Sequence, residues 1–216
     1  MKVLFIGNSY TYYNDMPDLF EKLAKENGAD VQVMSVTQGG RRLKAYENDA
    51  DEYTLRLKQI MAEHHFDAVI VQEHSLAPIL DYDGFCRGVI RVLDMVRPKA
   101  ERVILYETWG RKSGSPELSE HGWTNEGMTR DLADAYAKVA KNRDLEVSHV
   151  GQAFRRIVEA CGQIELYYPD MTHPSYAGSC LAALVHYKTV FEAMPVSAEC
   201  LGLNEKVLSA FVAAIA

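Results

Sequence analysis

Short runs of branched apolar residues alternate along this chain with longer stretches in which apolar positions recur every three or four residues. The short runs are Val3–Ile6, Val31–Val36, Ala68–Val71, Arg102–Tyr106 and Glu146–Val150. Each is rich in Val, Ile or Leu and too short for an independent helix, so each predicts a strand. Between them, Val89, Val92, Leu93 and Val96 keep the spacing of one buried helix face, as do Leu132, Tyr136 and Val139. Pro17, following Asn14 and Asp15, predicts a helix over Asp18–Asn27 that Gly28 stops. Ser175 predicts the cap of another helix, running through Leu181, Leu184 and Val185. Val207–Ala216 reads as a docked C-terminal helix.

Strands alternating with helices imply crossover units and a mainly parallel sheet covered on both faces. The longest irregular stretch, Gly110–Trp123, contains Gly114, Pro116 and Gly122 and reads as a loop over the carboxyl edge of the sheet. No repeat, linker or break in composition divides the chain, so residues 1–216 are expected to form one domain.

Composition narrows the partners. The 216 residues are 48% hydrophobic and 25% charged, enough for one substantial core. A formal net charge of −7 argues against nucleic acid or an anionic membrane as the main partner. No apolar stretch approaches the roughly 18 to 20 residues needed to span a bilayer. Lys2 leads straight into a strand with no leader-like apolar block, and Cys86, Cys161, Cys180 and Cys200 form no C-x-x-C pair. A cytoplasmic protein with buried, reduced thiols and no metal or cofactor is the expectation. Neither G-x-G-x-x-G nor a phosphate-binding G-x-x-x-x-G-K-[ST] occurs.

Ligands of open parallel sheets bind beyond the carboxyl ends of the strands. Four polar clusters fall there: Gly7-Asn8-Ser9, Gln38-Gly39-Gly40, Gln72-Glu73-His74-Ser75 and Asp170-Met171-Thr172-His173. An Asp and a His three residues apart can fold together, the carboxylate accepting from Nδ1–H and leaving Nε2 free as a base. A serine hydroxyl needs such a base before it becomes a nucleophile, and Ser9 is placed to meet it. Gly39 and Gly40 can bring backbone N–H groups close to a developing oxyanion, and the side chain of Gln72 or His74 can add another donor.

In this order the four clusters resemble the SGNH hydrolase superfamily, the GDSL-type esterases and lipases. The resemblance runs from Gly7 to His173. It implies a flavodoxin-like three-layer α/β/α sandwich with a mainly parallel five-stranded sheet, and hydrolysis of small esters. By the same resemblance Ser9 is the nucleophile, His173 the base and Asp170 its orienter, with Gly40 and the backbone N–H of Ser9 as oxyanion donors. Asn8 stands where the family usually has Asp. In the third block direct alignment selects His74 for the oxyanion role. Chemistry prefers Gln72, whose amide stays a donor at every working pH.

The expected activity is a serine esterase acting on short-chain acyl esters, with O-acetyl groups on carbohydrates as one candidate. Asn8, Gly39 and Trp109 are expected at the substrate, although Trp109, like Glu107, could equally be packing. The rival readings are a non-catalytic phosphate-binding module and a degenerate hydrolase kept for binding. Arg41-Arg42 reads as a solvated pair able to meet an anion, and His121, His149 and His186 as surface or satisfied core residues.

Overall fold

Alternation along the strands decides the layering. In this computed structural model, which describes residues 1–216, the strands are β1 (Lys2–Gly7), β2 (Gln32–Thr37), β3 (Phe66–Val71), β4 (Ala100–Tyr106) and β5 (Glu146–Ser148). They pair in parallel in the order β2-β1-β3-β4-β5, with Ile6 opposite both Val36 and Val71, and Tyr106 opposite Ser148. Successive side chains point to opposite faces. Val3, Phe5, Ala68, Ile70, Ile104 and Tyr106 therefore feed one core, and Leu4, Ile6, Val69, Val71, Val103 and Leu105 the other.

Helices cover both faces. The first core is closed by α1 (Met16–Glu26), α5 (Val150–Ala160), α6 (Tyr176–Phe191) and α7 (Glu205–Ile215). The second is closed by α2 (Glu52–Glu63), α3 (Tyr82–Val96) and α4 (Asn125–Arg143). The expected faces are the buried ones: Val89, Val92, Leu93 and Val96 on α3, and Leu132, Tyr136 and Val139 on α4. Each apolar side chain so buried contributes about 1.5–3 kcal/mol relative to exposure. This is the expected three-layer α/β/α architecture, and none of its helices is long and apolar enough to cross a membrane.

Several boundaries differ from the sequence reading. Val31 is buried but precedes β2, and β5 ends at Ser148 because Val150 already starts α5. The stretch Gly110–Trp123 holds a helix, Pro116–His121. Ser115 caps it by accepting from the Leu118 N–H, Pro116 opens it, and Gly122 closes it in the left-handed conformation at φ +65°. No cysteine is paired, but only Cys180 is buried; Cys200 is exposed. Arg41 is buried against Tyr46 and bound to Asp51, and Arg42 pairs with Asp81, so neither is a free cation.

The strand order reverses beside β1, with β2 on one side and β3 on the other. Chains leaving β1 and β3 diverge there and open a crevice at their carboxyl ends. The loops after β1, β2 and β3 form its walls.

Candidate active site

Gly7 ends β1 where no side chain would fit. A Cβ there would lie 2.3 Å from Thr11 Oγ1 and 2.5 Å from Gln72 Oε1. The chain then turns at once into a short helix, Ser9–Tyr12, capped by Asn8, whose side-chain oxygen accepts from the Tyr10 N–H at 3.1 Å. Ser9 is thus the first helical residue, with its N–H free of any intrahelical acceptor.

On the opposite wall, the turn before α6 presents His173. Ser9 Oγ lies 2.8 Å from His173 Nε2, and His173 Nδ1 lies 2.6 Å from Asp170 Oδ2. An ionised carboxylate can only accept, so Nδ1 carries the proton and the Nε2 lone pair faces the serine hydroxyl. The other Asp170 oxygen accepts from the Thr172 and His173 N–H groups at 3.0 and 2.9 Å. Burial alone would raise the Asp170 carboxyl, but the His173 ring N–H and these backbone donors outweigh it and hold the group below its usual range. The turn is strained, since Met171 sits at φ +62°, a conformation a side chain disfavours. Hydrogen bonds over-determine it: Tyr168 donates to the His173 carbonyl at 2.7 Å, and Lys112 to the Met171 carbonyl at 3.0 Å. Tyr13 stacks flat on the His173 ring at 4.3 Å and 9°.

Between these walls lies a cavity of about 350 Å³, whose lining includes Ser9, Gly39, Gly40, His74, Arg111 and His173. Gly40 adopts φ +66° and its N–H has no partner within the chain. His74 Nδ1 accepts from the Leu76 N–H at 3.4 Å, which places the ring proton on Nε2. Burial, with the Arg111 and Arg42 guanidinium groups adding to it, holds this imidazole below its ordinary range. A neutral Nε2–H donor therefore borders the cavity.

Gln72 is elsewhere. It is fully buried, its oxygen accepting from the Asn8 N–H at 2.8 Å and the Thr11 hydroxyl at 2.9 Å, and its nitrogen donating to the Glu73 carbonyl. Fully buried and absent from the cavity lining, it is not placed to meet an oxyanion. Contrary to the chemical preference for Gln72, the geometry brings only His74 of the two to the cavity. Two further expectations change. Asn8 borders the cavity, but its amide is spent within the fold, accepting from Tyr10 and donating to the Arg41 carbonyl at 3.0 Å. Trp109 has no exposed surface and lies stacked between Tyr10 and Phe154, its indole N–H donating to the Thr172 carbonyl at 3.2 Å. It packs beneath the His173 turn instead of walling the substrate.

Sequence reasoning missed Arg111. Buried at the cavity edge, it donates to the Ser75 hydroxyl at 3.0 Å, to the Tyr10 hydroxyl and to Glu117. Burial raises the Tyr10 phenol to about 12, against the opposing pull of Arg111, so Tyr10 stays a neutral acceptor. A lone Arg in an irregular stretch carries no spacing signal that would have singled it out.

The side chains at issue separate by experiment. His74→Ala should lower kcat for a small ester about 10²–10³-fold, the cost of one lost oxyanion donor. Gln72→Ala should instead loosen the fold, because it strands the Asn8 N–H and the Thr11 hydroxyl in a buried site, at about 1–3 kcal/mol each. Steady-state kinetics beside thermal melts of both variants distinguish the two; a near-normal kcat in His74→Ala would exclude its ring as a donor.

A parallel α/β/α sandwich with a hydroxyl, an imidazole and a carboxylate in series at its switch point defines a hydrolase architecture. No family model matches the chain, and no curated protein does so either. Among solved structures, a protein from Slackia heliotrinireducens assigned to the SGNH hydrolases is 30% identical, at a TM-score of 0.77, over 88% of this chain and 98% of that one. The chain belongs to the SGNH hydrolase superfamily. A DUF4886 family protein from Bacteroides uniformis is similar over 100% of this chain and 93% of its own, with TM-score 0.84 and 18% identity. An acetyl xylan esterase variant from Geobacillus stearothermophilus shares the fold at TM-score 0.61 and 15% identity, over 88% of this chain and 94% of that chain.

Proposed function

We propose that this hydrolase is a serine esterase acting on short-chain acyl esters through an acyl-enzyme on Ser9. The observation that carries the reading is the unbroken series Ser9 Oγ, His173 Nε2, His173 Nδ1 and Asp170 Oδ2, with separations of 2.8 and 2.6 Å across its two contacts. Ser9 Oγ attacks the acyl carbonyl while its proton passes to His173 Nε2. Asp170 stabilises the imidazolium and keeps its orientation. The carbonyl oxygen takes up the negative charge and is met by the N–H groups of Ser9 and Gly40 and by His74 Nε2–H. Collapse expels the alcohol, which takes the proton from His173, and water repeats the cycle to free the acid and Ser9.

The cavity supports a short acyl group. It holds about 350 Å³, and the hydrophobic residues of its lining are Tyr10, Tyr12 and Tyr13. It offers no apolar tunnel for a long chain. Exposed Tyr12 and the Tyr13 ring, inclined at 34° to each other, put aromatic surface at the cavity rim, which fits an O-acetyl carbohydrate as substrate, and acetyl xylan esterase is the activity named for one structure of this fold.

A fluorophosphonate probe tests the reading. It should label the wild-type chain on the peptide containing Ser9 and should not label Ser9→Ala. Across p-nitrophenyl esters, kcat/KM should not rise from acetate to octanoate, because each added methylene finds little apolar wall to gain from. An unlabelled chain would mean a binding protein on a hydrolase fold, and a preference for octanoate would contradict the short acyl group.

A further inference from the structure

Three buried side chains, Asn8, Gln72 and Glu73, tie the three loops of the site together in pairs. Asn8 Nδ2 donates to the Arg41 carbonyl, joining the loop after β1 to the loop after β2. Gln72 Oε1 accepts from the Asn8 N–H, joining the loop after β3 to the loop after β1. Glu73 closes the triangle. Its Oε1 accepts from the Leu43 N–H at 3.0 Å and from the His74 N–H at 2.6 Å, so one oxygen spans the loops after β2 and β3. Leu43 lies three residues beyond Gly40, and His74 carries the side-chain donor. The two loops clamped by Glu73 are those that bring the Gly40 and His74 donors to the oxyanion.

We propose that Glu73 is the positioning residue of the oxyanion site, fixing the separation of the Gly40 and His74 donors through its bonds to Leu43 and His74. The inference rests on the esterase reading of this site. A carboxylate is a costly brace here. Glu73 has no exposed surface, its Oε2 has no hydrogen-bond partner, and burial pushes the carboxyl up to about 7. Its backbone donors and Arg42 oppose that rise, and Asp81 adds to it. Tyr136 of α4, its hydroxyl also unpartnered, lies on the far side. A fold selected for stability alone would lose this group easily, since an apolar side chain would avoid burying a carboxyl. What an apolar side chain cannot do is accept from two backbone N–H groups at once.

Reach and charge can be varied separately. Glu73→Gln keeps the length and one acceptor oxygen, and should hold kcat for p-nitrophenyl acetate within about threefold of wild type. Glu73→Asp keeps the charge but is one methylene too short to span both loops; it should lower kcat about 10- to 100-fold with KM within about threefold, because the oxyanion exists only beyond the ground state. That loss should shrink when His74→Ala is already present, since the brace then has only the Gly40 donor left to place. A tenfold loss in Glu73→Gln, an effect in Glu73→Asp confined to KM, or full persistence of the Asp effect in the His74→Ala background would each overturn the proposal. Wild-type chain that hydrolyses the ester and labels at Ser9, with Glu73→Asp unaffected, would overturn this inference alone; wild-type chain that does neither would sink the esterase reading itself. Stability reports on the buried carboxyl independently. It ionises near 4.5 when exposed and near about 7 in the fold, so its stabilising contribution is complete below the lower value and lost as pH rises through the upper. The melting temperature of Glu73→Gln should therefore gain on wild type between about pH 5 and pH 8. A difference independent of pH would mean that Glu73 ionises as readily in the fold as in the unfolded chain.

Discussion

Ser9→Ala should leave the fold in place and bring hydrolysis of p-nitrophenyl acetate to near the uncatalysed rate, a loss of about 10³-fold or more. The size follows from what is deleted. Without Oγ there is no covalent intermediate, and the base at His173 Nε2 has only water to activate. The residual rate then comes from the oxyanion donors and binding alone. The fold should tolerate the change because Ala suits the first turn of a helix and Asn8 still caps it. The loss is one hydrogen bond to His173, worth about 1 kcal/mol, so the melting temperature should move by only a few degrees. The measurement is kcat/KM beside a thermal melt on a preparation shown by mass spectrometry to carry alanine. Turnover within tenfold of wild type would remove Ser9 from the chemistry, whatever its distance to His173.

The architecture was legible because the strands announce themselves. Runs such as Val69–Val71 and Val103–Leu105 are buried on both faces, so they are apolar without interruption and short, a pattern helices of this fold do not share. Three of the four polar clusters could be placed at one end of the sheet for the same reason, since each follows a strand; the fourth, Asp170–His173, lies ahead of α6. What the sequence could not supply is the path of the chain once a strand stops. Gln72 and His74 are two residues apart, and strand alternation would send both to the same side. The chain bends after Val71, so Gln72 turns inward beneath Gly7 while His74 reaches the cavity. Trp109 was ambiguous on similar grounds: an aromatic past a strand end can wall a crevice or fill the space beneath it, and only the packing of Phe154 from α5 against its face decides for the second. The helix Pro116–His121 did carry its signals in Ser115, Pro116 and Gly122, but six residues are too few for an apolar period to register.

Asp170→Asn should reduce kcat about 10³- to 10⁴-fold while changing KM little, and the reason lies in the tautomer of His173. In the native turn one carboxylate oxygen accepts from Nδ1–H, so Nε2 has a lone pair to receive the serine proton. An asparagine keeps the shape and can still accept from the Thr172 and His173 backbone N–H groups with its oxygen. That choice turns its NH₂ toward Nδ1. Two donors cannot face each other, so the imidazole moves its proton to Nε2 and presents N–H to the serine, which then has no base. The charge matters as well. Asp170 is held below the usual carboxylate range, so it is ionised throughout the working pH and opposes the positive charge that forms on His173 as the serine attacks. Asparagine removes that support at the moment it is needed. Substrate binding touches neither effect, which is why KM should hold. Asp170 is partly exposed, and water can take over some of the solvation, so the loss should not exceed the serine deletion. A kcat within tenfold of wild type would show that the His173 ring keeps its tautomer without the carboxylate, and Asp170 would then be a brace for the turn instead of a member of the catalytic series.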